Sequence, residues 1–288
     1  MVAVALMWST AGVVTRQLDA ARSFEVTFWR SLFNAVALLL ALMAMRGSAL
    51  WSDIRCGGAA LWFSALCWAV MYTNFMLALT LTTVATVLVT MAIAPLVTAL
   101  FARVFLHHRL PTRTWAAICL AGIGIAWMFG RQALVAQGSM TGALVALGVP
   151  LAAAANWTLL QHLHRRHEVD PRIEEPQMLP AVLLGAVLSA AVTLPLALPF
   201  SATPHDLGLL ALLGVVQLAI PCLLVVRLTK VLAAPEISLL GLLEVIFGVL
   251  LAWAGAGEVP AAEALTGGAL VLVALIGNEW WALRQRTA

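Results

Sequence analysis

Residues 1–16, MVAVALMWSTAGVVTR, and residues 150–165, PLAAAANWTLLQHLHR, lie over one another without a gap when the chain is slid along itself by 149 positions. Trp8 then meets Trp157, Ser9 meets Thr158 and Arg16 meets Arg165. The same shift carries Leu79-Thr80 onto Leu228-Thr229, Ala85 onto Ala234 and Pro111 onto Pro260. Apolar sequence matches apolar sequence by chance. Trp on Trp, Arg on Arg and Pro on Pro at a single shift is a stronger signal, and the chain reads as a duplication.

The composition says what was duplicated. Hydrophobic residues make up 63% of the 288 and charged residues only 10%. A soluble fold cannot hide that much apolar surface, so the chain is expected to be an all-α polytopic membrane protein. One span takes about 20 apolar residues. Ten spans are expected, near 1–15, 26–45, 57–79, 84–106, 114–130, 141–163, 178–200, 207–227, 235–256 and 265–283. The first is short and lacks the basic lead of a cleaved signal peptide. An odd number of spans per half turns the second half upside down. Residues 1–137 and 138–288 are therefore expected to be five-helix repeats of inverted topology, the plan of many secondary transporters.

Basic residues orient the chain. With the N-terminus in the cytoplasm, twelve fall on that side: Arg46, Arg55, Arg103, Arg109, Arg113, Arg165, Arg166, Arg172, Arg227, Lys230, Arg284 and Arg286. Arg16, Arg22 and Arg131 fall outside, and Arg30 sits just inside the second span. This bias places both termini in the cytoplasm. The net charge of +3 thus reports orientation and not nucleic-acid binding. The longest polar run, HRRHEVDPRIEE at 164–175, is expected to be a solvated cytoplasmic linker between the sixth and seventh spans. Of the four cysteines, Cys67, Cys119 and Cys222 lie in apolar spans and Cys56 at a cytoplasmic end. Their spacing fits neither a disulfide framework nor a zinc site.

Polar and aromatic residues at membrane depth carry the functional reading, because each is costly there. Glu244 is the one deep acid, with readings as an ammonium ligand, a proton carrier or a hydrogen-bonded anchor between helices. Trp8 and Trp157 occupy equivalent places in the two repeats and read as cavity walls or as core packing. Trp68, Tyr72 and Phe75 fall at i, i+4 and i+7 on one face of the third span, beside Asn74. Asn156, Gln161 and Gln217 are amides that either hydrogen-bond a substrate or tie helices together. Thr86, Thr90 and Met91 in the fourth span are weaker members of the set. Trp8, Tyr72, Asn74, Thr90, Met91, Asn156, Trp157, Gln217 and Glu244 make up the expected substrate site. Pro95 and Pro221 interrupt the fourth and eighth spans and read as hinges in a cavity wall or as plain kinks. Gly241 and Gly248, flanking Glu244, and Gly267-Gly268 read as close-packing positions. No metal or other cofactor is expected. The six histidines lie at span ends or in loops, His-Glu-x-x-His is absent, and so is a phosphate-binding P-loop.

The fourth and ninth spans bring in a resemblance. LLEVIFGVLLAWAGAGEVP at 242–260 runs from Glu244 to a Gly257-Glu258 turn, and MAIAPLVTALFARVFLHHRLP at 91–111 carries Pro95. Together with Met7-Trp8-Ser9 in the first span and Arg30 early in the second, they resemble the drug/metabolite transporter superfamily, EamA type. The fourth span departs from the pattern, with His107-His108-Arg109 where Gly-Glu-Arg is usual, and Val245 replaces a common proline. The resemblance implies five-plus-five inverted repeats around a central cavity and movement of small metabolites. The Trp-rich, nearly uncharged spans are most similar to the aromatic and neutral amino acid exporters. It implies a non-enzymatic secondary exporter in a bacterial inner membrane, surrounded by lipid and working by alternating access on neutral or aromatic amino acids. A channel-like facilitator, or a drug or nucleotide-sugar transporter of the same fold, is the alternative. A membrane enzyme would need an acid–base or nucleophile constellation at one depth, which the spans lack. The topology is checked by cysteines introduced at Ser139 and Arg172, which should label from opposite sides of the membrane; labelling of both from outside would refute ten spans.

Overall fold

A computed structural model describes every residue except 16, 22, 83–86, 88–89, 108–109, 136–139, 171, 173–175, 257–261 and 288. Expectations resting on Arg16, Arg22, Ala85, Thr86, His108, Arg109, Ser139, Gly257, Glu258 and Pro260, and on the 137/138 boundary, fall outside the described residues. Within them all regular structure is helical. The helices are α1 (Val2–Thr15), α2 (Ser23–Arg46), α3 (Ala49–Cys56), α4 (Gly58–Leu81), α5 (Ala94–Phe105) and α6 (Thr112–Val135). They continue as α7 (Met140–Val169), α8 (Leu179–Ala197), α9 (Pro204–Leu228), α10 (Ala234–Gly241), α11 (Leu243–Ala256) and α12 (Ala262–Thr287).

Among the described residues six stretches are long and apolar enough to cross a membrane: Phe24–Arg46, Gly58–Leu79, Met140–Val169, Leu179–Ala197, Pro204–Leu228 and Ala234–Leu251. Shorter apolar helices cover 2–15, 94–105 and 265–278. Large side chains such as Leu40, Trp62, Ile123, Val192 and Ile276 face outward. In water that surface would be untenable; in lipid it is the expected exterior, and the chain is an integral membrane protein. The amphipathic α3 was not expected. Gly47 and Gly58 bracket it, both with positive φ (+56° and +60°). Gly47 ends α2 by donating to the Met43 carbonyl at 2.8 Å, in a conformation L-residues with a Cβ adopt poorly. The run 164–175 is not a loop from its start. Residues 164–169 continue α7, with His164 and Glu168 3.6 Å apart one turn on, because nothing before Val169 breaks the helix.

Helix contacts follow the duplication. α1 packs on α9 as α7 packs on α4, and α1 meets α10 and α11 as α7 meets α5. α2 packs on α9 as α8 packs on α4, α2 on α4 as α8 on α9, and α5 on α6 as α11 on α12. The pairs α2–α8 and α6–α12 each join a helix to its own counterpart, and α5–α10 joins the two broken spans to each other. Close approach is bought by small residues: a Cβ on Gly185 would lie 2.4 Å from Trp68 Cβ, and one on Gly124 would lie 2.7 Å from the Gly267 carbonyl oxygen.

One face is closed by two reciprocal carboxylate latches. Asp206, in the first turn of α9, reaches the loop after α1: Oδ1 accepts from the Asp19 N–H (2.7 Å) and Oδ2 from those of Ala20 (3.1 Å) and Ala21 (3.2 Å). Its Oδ2 also accepts from the Thr203 N–H (3.2 Å), while Thr203 Oγ1 accepts from the Asp206 N–H, completing a capping box. Glu25, near the start of α2, returns the contact. It accepts from the Ser201 and Ala202 N–H groups, both at 2.8 Å, and from the Ser201 hydroxyl at 2.7 Å. Each carboxylate thus satisfies the loop of the opposite half. Asp206→Ala should strand several backbone donors and lower stability by about 1–3 kcal/mol. Asp206→Asn should cost less; thermal unfolding in detergent measures both.

Candidate functional site

The fourth and ninth spans are both broken, at matching places. The chain turns at Ala92–Ile93 before α5 and at Leu242 between α10 and α11, and Ile93 and Leu242 are 149 residues apart. Tight bonds close the turns: Ile93 N–H to the Thr90 carbonyl (3.3 Å), Leu242 N–H to Leu239 (3.1 Å) and Val245 N–H to Leu242 (3.1 Å). Glu244 therefore lies in the first turn of α11, where the helix dipole favours a carboxylate, and not in the middle of an unbroken helix. Pro95 lies in the first turn of α5, where its missing N–H costs nothing. It starts a helix and does not kink one.

Between these breaks lies a cavity of about 150 Å³. Its walls include Trp8, Tyr72, Met91, Trp157, Gln217 and Glu244 of the expected site. Rings form one side: Trp157 meets Trp68 edge-on at 5.3 Å, and Trp68 lies 5.5 Å from Tyr72. Gln217 is placed by a π-helical stretch of α9, Leu213–Ala219, in which the Ile220 N–H reaches back five residues to Val215. Pro221 follows it and has no N–H for the Gln217 carbonyl; a widened turn relieves the clash. Pro221 is buried inside a continuous α9. From there Gln217 Nε2 donates to the Trp8 carbonyl at 3.3 Å.

Three expected site residues do not line the cavity. Asn156 is fully buried, and its Oδ1 accepts from Ser64 Oγ at 2.6 Å. Asn74 Nδ2 donates to the Val145 carbonyl at 3.2 Å. Both tie α4 to α7, the ordinary use of an intramembrane amide. Gln161 does the same work by accepting from the Ala234 N–H at 3.0 Å. Thr90 carries the carbonyl of the α5-side turn instead of a cavity wall. Gly241 departs in the other direction. A Cβ there would come no closer than 4.0 Å to a neighbour, Met1 Cε, so this glycine borders open space and is not a packing contact.

Arg30, Trp68, Phe75, Cys222 and Ser238 also line the cavity. Trp68 and Phe75 share the stripe of Tyr72 read from the sequence, and Arg30 carried a signal of its own: a basic residue inside a span, seven positions past Ser23, is a functional candidate by depth alone. It is 3% exposed, and its Cζ lies 5.9 Å from the Phe75 ring centroid. Gly214 lets α9 approach it; a Cβ on Gly214 would lie 2.8 Å from the Arg30 carbonyl oxygen. Glu244, half-buried, faces the cavity and makes no hydrogen bond among the described residues, which leaves the anchor reading without a partner. Arg30 and Glu244 supply the charged side chains of the wall, and no ion pair joins them among the described residues.

Filling this space separates cavity from packing. Gly241→Leu should reduce transport sharply with an unchanged melting temperature in detergent. Gly214→Leu, driven into the α2 backbone, should cost about 1–3 kcal/mol or more; equal melting of the two variants would refute the distinction.

Comparison with known proteins agrees with this architecture. The EamA-like transporter family matches twice, over residues 1–130 and 140–278. No curated protein matches at a significant level. One solved structure covers 98% of this chain and 96% of its own, with TM-score 0.74 at 17% identity, a likeness of fold alone. With nearly all of its length matched in two tandem copies, the chain belongs to the EamA-like transporter family.

Proposed function

We propose that the protein exports small neutral metabolites, foremost amino acids including aromatic ones, by alternating access around the central cavity. The observation that carries this reading is the cavity's position between the matching breaks at Ile93 and Leu242, walled by aromatic rings and two opposite charges. Interrupted helices facing each other across a repeat interface are a recurrent transporter site, because turns at membrane depth survive only beside protein or a watery space. The ten-span, five-plus-five inverted arrangement fits the paired helix contacts, with the repeats dividing near 137/138 and both termini in the cytoplasm of a bacterial inner membrane.

In this scheme Trp8, Trp68 and Trp157 offer faces to an apolar or aromatic side chain. Glu244 takes the ammonium, and Gln217 and Met91 complete the wall. Rocking one half against the other would open the latched face and close its opposite, with Pro95 and Pro221 beside the places that flex. Arg30 in the wall argues against cationic drugs, which it would repel.

A radiolabelled amino acid panel in proteoliposomes, with and without a pH gradient, tests the function; no flux of any member refutes it. Trp157→Ala should lower flux of aromatic substrates by about tenfold, one buried aromatic contact being worth about 1–1.5 kcal/mol. Glu244→Gln should weaken every substrate bearing an ammonium. Loss of the pH response with exchange intact would instead mark Glu244 as the proton carrier.

A further inference from the structure

Arg30 presents a problem that the protein alone leaves open. A guanidinium stays charged at any physiological pH, and its burial at membrane depth is tolerated when an anion or a dipole answers it. Arg30 is 3% exposed, yet its Nη1 has no hydrogen-bond partner among the described residues. The Phe75 ring supplies a cation–π contact to one face of the fork and accepts no in-plane hydrogen bond. Three further polar atoms in the same cavity wall share the condition: Trp68 Nε1, on a residue 2% exposed, Gln217 Oε1, on one 3% exposed, and the hydroxyl of Tyr72, 4% exposed. Two donors, an acceptor and a hydroxyl that can act as either are thus left over at one site, whereas buried polar atoms are mostly paired.

Resting on the amino acid reading above, we propose that Arg30 binds the carboxylate of the transported molecule and is the residue that selects for a zwitterionic head group. A planar fork matches a carboxylate with two parallel hydrogen bonds, and Trp68 Nε1 adds a donor from the neighbouring wall. The ammonium then falls to Glu244 and Gln217 Oε1. The charge balance sets the selectivity. Arg30 and Glu244 cancel, so a neutral zwitterion satisfies both. An amine without a carboxylate leaves the guanidinium buried and unanswered, and an acid without an amine does the same to Glu244. Gly214 is part of the device: only a glycine lets α9 pack on the α2 backbone at Arg30 and hold the fork against the cavity.

The test is a binding comparison on the purified full chain with L-phenylalanine, phenethylamine, 3-phenylpropanoate and L-phenylalanine methyl ester. The intact protein should bind phenylalanine at least about tenfold more tightly than the amine or the ester, the worth of a charged hydrogen bond. Arg30→Gln should lose about tenfold for phenylalanine and leave phenethylamine within about threefold, with Arg30→Lys between. Equal binding of phenylalanine and its methyl ester by the intact protein overturns the proposal even if Arg30→Gln fails to fold. Parallel losses for phenylalanine and phenethylamine in a folded Arg30→Gln also overturn it, since they mark a structural role. Those results leave the amino acid reading standing. Failure of the intact protein to bind any of the four removes that reading and the proposal with it.

Discussion

A backbone carbonyl or N–H in hydrocarbon has no water to turn to, and this constraint orders the whole molecule. It makes the described structure all-helical and restricts any break in a helix to places sheltered by protein or bordering a cavity. The irregular segments at depth obey it. The turns at Ala92–Ile93 and Leu242 and the π-helical stretch at 213–219 all abut one cavity, through Met91 and Ala94, through Gly241 and Glu244, and through Gln217. Because the chain is duplicated, the first two occur at equivalent positions. The third has no partner: the equivalent stretch of α4 is regular helix. The cavity is therefore built by two-fold repetition and finished by one asymmetric turn that brings Gln217 to the Trp8 carbonyl.

Lipid is as apolar as leucine, so helices here are held by close contact and by polar ties more than by exclusion of water. Glycine serves the first purpose at Gly124, Gly185 and Gly214, where backbone meets backbone or a Cβ. Hydroxyls and amides serve the second: Ser31–Ser189–Thr73 joins α2, α8 and α4, Thr98–Ser238 joins α5 to α10, and Thr114–Asn278 joins α6 to α12. Against this background four residues with unpaired polar atoms gather in the wall of the central cavity. Around Arg30, Trp68, Tyr72 and Gln217 polar atoms facing one space have no partner among the described residues, and Asn34, one turn along α2 from Arg30, is in the same condition.

The latches of Asp206 and Glu25 tie the two halves together at one face. Each carboxylate belongs to one half and gathers backbone donors from the other, so relative motion of the halves at this face must break several hydrogen bonds together. Under the alternating access proposed above, a seal made of many modest bonds would be firm while closed and would open as a unit, as a two-state gate does.

How much of this could be read along the chain divides by physical range. Hydropathy, the 149-residue repeat, the Arg/Lys bias and the proline and glycine punctuation are local or one-dimensional, and they led to the membrane class and the two repeats; the family came from the resemblance of the fourth and ninth spans, Met7-Trp8-Ser9 and Arg30 to its motifs. Glu244, Trp8 and Trp157 were visible as costly or paired residues at depth, and they meet at the cavity. Arg30 was visible too, but it stood undecided in the topology count and entered only through the family resemblance, its depth being ambiguous near a span end. Glu25 and Asp206 look like ordinary loop acids until the loops they cap are brought from more than 170 residues away. What no linear reading supplies is the direction of a side chain around its helix. Asn156 and Trp157 are adjacent, yet a helix turns about 100° from one residue to the next. That rotation sends the indole to the cavity and the amide to Ser64, and only the packing of α4 against α7 decides which face is which.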